Sequence, residues 1–69
     1  MDQKELDNRF SYHAPKGDQT ARYETIRSEA RHLASVLDAT CPDSREKSLA
    51  MTHLEQAVMM ANASIARRE

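Results

Sequence analysis

The sequence predicts an all-α chain: an N-terminal arm or short helix followed by an antiparallel two-helix hairpin, assembled into a symmetric homo-oligomer. Three observations predict it. The 69 residues include one Gly and two Pro, too few for the turns of an all-β or loop-rich fold. Two long stretches, 18–38 and 43–68, contain neither residue. In both, apolar residues recur in steps of 3 and 4, the period of one helix face.

The expected association follows from size. At 7.9 kDa the chain is a single domain spanning 1–69. Ordering each residue costs about 1.5 kcal/mol, on the order of 100 kcal/mol in all. Only 39% of the residues are hydrophobic, and many of those are Ala. The lone Cys41 excludes an internal disulfide framework. Contact with further copies is the remaining common way for so short a chain to bury surface.

Residues 1–17 form a polar arm in which Leu6 and Phe10 are one helical turn apart. Asp18 follows the only Gly and is placed to cap the first long helix, 18–38. Its apolar face is Tyr23, Ile26, Ala30, Leu33 and Leu37, stepping 3, 4, 3, 4. Pro42 disfavours helix at the residue before it and ends this element. Asp43 or Ser44 caps the second long helix, 43–68, and Asp43 with Glu46 has the spacing of a capping box. Its seam is Met51, Leu54, Val58, Ala61 and Ile65. Two helices of similar length with a short connection fold back on each other. Leu49, Met59 and Met60 lie outside the second seam. They serve either a second packing face beneath the arm or a subunit interface, and the size arithmetic favours the interface.

Ten Lys and Arg stand against eleven Asp and Glu, a formal net charge of −1. Duplex nucleic-acid binders are usually basic, so none is expected as a partner. No apolar run approaches the roughly 20 residues of a membrane span. The N-terminus lacks the apolar stretch of a signal peptide, and a single Cys suits a reducing cytoplasm. His13, His32 and His53 lie far apart with no Cys partner nearby, so no metal site is expected. Cys41 has no His close in sequence and no glycine-rich loop around it, which argues against a nucleophile. No cofactor and no enzymatic activity are expected.

The stretch Asn8-Arg-Phe-Ser-Tyr-His-Ala-Pro-Lys-Gly-Asp18 carries the chemistry. Aromatic rings such as Phe10 and Tyr12 stack on bases. Arg and Lys pair with phosphates, as does the start of a helix. The plainer alternative is an arm that packs Phe10 and Tyr12 onto its own hairpin. At the other end, Arg67 and Arg68 suit the negative end of a helix macrodipole. Around a threefold axis they would also form a cationic ring for an anion of matching symmetry.

The blocks Asn8 to Gln19, Arg22-Tyr-Glu-Thr-Ile-Arg27 and Ser44 to Arg67 together resemble the small phage anti-CBASS sponge proteins. Tyr-His-Ala-Pro-Lys-Gly-Asp-Gln and the Gln-Ala-Val-Met-Met-Ala-Asn-Ala run are the most specific parts. The resemblance implies an all-α hexamer, a trimer of dimers, acting in the cytoplasm of an infected bacterium. It implies sequestration, without cleavage, of cyclic dinucleotides such as cyclic GMP-AMP in pockets between protomers. A second class of site on threefold axes would hold cyclic trinucleotides. By position Tyr12 matches the family's stacking Tyr, and Arg27 stands where a Lys is expected. The trinucleotide Arg falls at Arg67 or Arg68. Phe10, His13 and Lys16 are assigned to the dinucleotide pocket from their chemistry and their closeness to Tyr12. Two rivals stand beside this reading: a helical protein-interaction adaptor, and an enzyme degrading the same signals.

Overall fold

A computed structural model describes all 69 residues. It contains three helices and no strand: α1 (Gln3–Arg9), α2 (Gln19–Thr40) and α3 (Arg45–Arg68). α2 and α3 pack antiparallel. The start of α2 meets the end of α3 where Gln19 reaches Ile65, and Lys47 at the start of α3 meets Asp38 at the end of α2.

Local chemistry sets the boundaries. Asp2 caps α1, its carboxylate accepting from the Lys4 amide at 2.7 Å. Ser44 caps α3 by accepting from the Lys47 amide at 3.1 Å. Asp43 therefore closes no capping box; its carboxylate accepts instead from Lys47 Nζ at 3.0 Å. At α2 the sequence expectation fails in part. Asp18 occupies the cap position, but its side chain makes no cap hydrogen bond. Its φ of −87° and ψ of 10° depart from the extended backbone of a capping residue, and its carboxylate accepts from Arg22 Nε at 3.2 Å. Gly17 precedes it at φ 56°, a left-handed conformation that strains any residue with a Cβ.

The hairpin seam follows the sequence with one shift. Met51, Leu54, Val58, Ala61 and Ile65 face inward from α3. From α2 come Tyr23, Ile26, Ala30 and Leu37, but Ala34 takes the place expected for Leu33, which stays 46% exposed. The observed steps are 3, 4, 4, 3, which keep the mean spacing and end on the same Leu37. Leu33 lies on the flank with Val36.

One helix pair does not make a closed core. No apolar residue is fully buried. The accessible surface is 5459 Å², against about 4,400 Å² for a compact monomer of this mass. The excess, about 1,000 Å², is of the order that one partner contributes to a stable protein–protein interface. Leu33, Val36, Leu49, Met59 and Met60 supply exposed apolar area. No helix is long and apolar enough to cross a membrane.

Candidate functional site at the end of the hairpin

A helix end leaves its last four carbonyls without intrahelical partners. At the end of α3 the N-terminal third of the chain satisfies two of them. Asn8 Nδ2 donates to the Arg67 carbonyl at 3.0 Å, and Gln19 Nε2 donates to the Ile65 carbonyl at 3.4 Å. Lys16 Nζ adds a bond to the Glu69 carbonyl at 3.0 Å. Residues 10–18 are thus a bridge anchored at both ends on α3.

Under this bridge lies an open cavity of about 370 Å³. The bridge contributes Ser11, Tyr12 and His13, and α1 contributes Arg9. Tyr23 and Arg27 come from α2; Asn62, Ala63, Ala66 and Arg67 come from α3. Two Ala leave the α3 wall low. Three guanidinium groups and no carboxylate line the space, so it favours anions. Tyr12 is 87% exposed and Phe10 is 83% exposed. Neither ring packs onto its own hairpin. His13 is half-buried, and its Nε2 lies 2.7 Å from the Asn8 carbonyl. A carbonyl only accepts, so Nε2 carries the proton and Nδ1 of the neutral ring is an acceptor. Asn62 Oδ1 is buried without a hydrogen-bond partner.

A second cavity of about 320 Å³ lies beside the first, sharing Arg9, Ala63 and Arg67 and adding Met60, Ser64 and Arg68. Here the two terminal arginines differ. Arg68 grips Glu5 with both nitrogens, at 3.0 and 2.6 Å, and Arg9 Nε adds a bond at 3.0 Å. The Arg68 and Arg9 hydrogen bonds hold the Glu5 carboxyl down at about 2. Arg67 has no carboxylate partner; its guanidinium donates to the Arg9 carbonyl at 3.3 Å. A third, more apolar groove of about 420 Å³ runs along the hairpin between Ala30, Ala34, Met51, Val58 and Met59, with Arg27 at its rim.

Of the residues singled out in the sequence, Tyr12, His13, Arg27 and Arg67 meet at the first cavity, and Arg68 joins Arg67 at the second. Phe10 and Lys16 line neither. Sequence reasoning counted Arg9 among the cations of the arm without assigning it to the pocket, and missed Tyr23 and Asn62. Tyr23 was readable only as a seam residue. Asn62 left a faint signal, an amide between two alanines of a helical run. No group of three or more His, Cys, Asp or Glu side chains converges anywhere in the fold.

A family model described as the Acb2/Tad1 hairpin domain matches residues 1–66. Neither a curated protein nor a solved structure gives a match.

Proposed function

Because the chain belongs to the Acb2/Tad1 hairpin-domain family of anti-CBASS sponges, we propose that it sequesters cyclic dinucleotides such as cyclic GMP-AMP, and cyclic trinucleotides at a second site, in the cytoplasm of an infected bacterium. The observation that carries this reading is an unburied Tyr12 beside a cavity lined by three guanidinium groups and no carboxylate. A cyclic dinucleotide presents two flat bases and two phosphates. Tyr12 supplies a stacking face, Arg27 pairs with phosphate, and His13 offers a polar edge. Arg27 in place of the family's expected Lys keeps the charge and replaces a compact ammonium with a planar fork of donors.

The cavity is open on one chain, and the proposed site is completed by a neighbouring subunit. The unburied apolar surface supports association, for which the family suggests a hexamer. Phe10 then reaches a neighbour's cavity, and Lys16 contributes charge from its seat on Glu69. At the second cavity Arg67, without a carboxylate partner, is the phosphate ligand, and Arg68 braces α1.

Sequestration needs affinity and no bond cleavage, hence no cofactor. Incubation with cyclic GMP-AMP followed by denaturation and chromatography tests it. Recovery of intact ligand in stoichiometric amount is expected. Recovery of linear or monomeric nucleotide would replace the sponge with an enzyme.

A further inference from the structure

The only fully buried residue in the chain is polar: Gln19, 3% exposed. It makes four hydrogen bonds across three pieces of chain. Its backbone amide donates to the Lys16 carbonyl at 3.1 Å, and its Oε1 accepts from the Lys16 amide at 3.1 Å. These two bonds tie Gln19 to both backbone groups of Lys16 and close the left-handed turn at Gly17 between them. Its Nε2 donates to the Ile65 carbonyl at 3.4 Å and to Glu69 Oε1 at 3.1 Å. Glu69 is held in turn by Arg22, whose Nη1 and Nη2 reach its two oxygens at 2.7 and 2.5 Å. A side chain that uses its amide oxygen and nitrogen together in this way fixes geometry, because a buried amide left half-satisfied costs more than an apolar one.

We infer that Gln19 is the positioning residue of the cavity, setting through the Lys16–Gly17 turn where the bridge places Tyr12 and His13. Gln19 does not line the cavity itself. It acts at the rear anchor of the bridge; Asn8, which bonds both Arg67 and His13, forms the front anchor. With no buried apolar residue near the bridge to hold it, polar anchors determine its path. The inference rests on the sponge reading for its consequence in binding, though not for its consequence in structure.

The test uses Gln19→Met, which conserves volume and removes the side-chain bonds, and Gln19→Glu, whose carboxylate can still accept from the Lys16 amide but cannot donate to the Ile65 carbonyl or to Glu69. Amide hydrogen exchange on the ligand-free protein reads the anchor directly. In Gln19→Met, the Lys16 and position-19 amides, the hydrogen-bonded ones of the turn, should exchange faster while the middles of α2 and α3 stay protected. Calorimetry with cyclic GMP-AMP reads the consequence: about tenfold weaker binding, within the range that losing a stacked ring costs. Gln19→Glu should show the same two losses, because its carboxylate then faces the Ile65 carbonyl and the Glu69 carboxylate as a third acceptor. Unchanged exchange of the Lys16 amide, or unchanged affinity in Gln19→Met, would overturn the inference. A wild-type protein that bound no cyclic dinucleotide would overturn the sponge reading instead, and the exchange data would still decide whether Gln19 holds the bridge.

Discussion

Glu5 holds Arg68 through a two-point ion pair and leaves the adjacent Arg67 facing two cavities with no carboxylate on it. Two consecutive residues at the end of one helix point about 100° apart. That rotation divides their work: Arg68 fastens α1, and Arg67 is available to an anion.

Arg67→Ala is therefore expected to weaken cyclic trinucleotide binding by tenfold or more, since a charge-assisted hydrogen bond is worth about 1.5–3 kcal/mol. Arg68→Ala should change it much less and should instead loosen α1. Titration calorimetry on both variants checks the division; equal losses would contradict it.

Tyr12→Ala removes the exposed stacking ring. Base–aromatic stacking is worth about 1–3 kcal/mol per base, so cyclic dinucleotide affinity should fall about 5- to 150-fold, at 1.4 kcal/mol per tenfold. Tyr12→Phe should retain most of the affinity. Calorimetry decides, and an unaltered dissociation constant for Tyr12→Ala would remove this ring from the site.

The two carboxylates that tie the N-terminal third to α3 titrate far below their ordinary value of 4.5. Glu5, bonded by Arg68 and Arg9, and Glu69, bonded by Arg22 and Gln19, both lie at about 2. A lowered folded value means that the ties contribute fully above about 4.5 and are lost as pH falls toward 2. The exchange protection of residues 1–18, taken relative to the intrinsic rate at each pH, should fall across that window before the hairpin loses helicity by circular dichroism. Simultaneous loss of both would show that these pairs do not hold the arm separately.

Met59 is 63% exposed and lines the groove on the hairpin flank. A charge there opposes burial between subunits. Met59→Glu should shift the mass measured by light scattering toward the monomer and weaken cyclic dinucleotide binding with it. A Met59→Glu protein of unaltered mass would take this face out of the assembly.

Much of the fold was legible because helices and seams are periodic. The 3 and 4 steps located both long helices, and the single shift, Ala34 for Leu33, only exchanges the order of a 3 and a 4 step, which periodicity does not fix because both residues continue the face from Ala30. Which side chain caps a helix was less legible. Asp18 and Asp43 have the right chemistry, but each is drawn to a cation four residues on, Arg22 and Lys47. The cationic and aromatic members of the site announced themselves by type, and their convergence needed the fold. Gln19 was invisible: an amide beside a predicted cap carries no signal of burial, and its four bonds reach residues up to 50 positions away.

Native mass spectrometry with cyclic GMP-AMP tests most directly whether neighbouring copies build the binding site together. The expected spectrum shows an assembly of an even number of chains, carrying intact ligand at no more than one molecule per two chains and releasing it uncleaved. A free 7.9 kDa chain that binds one ligand by itself, or an assembly that binds none, would contradict the account.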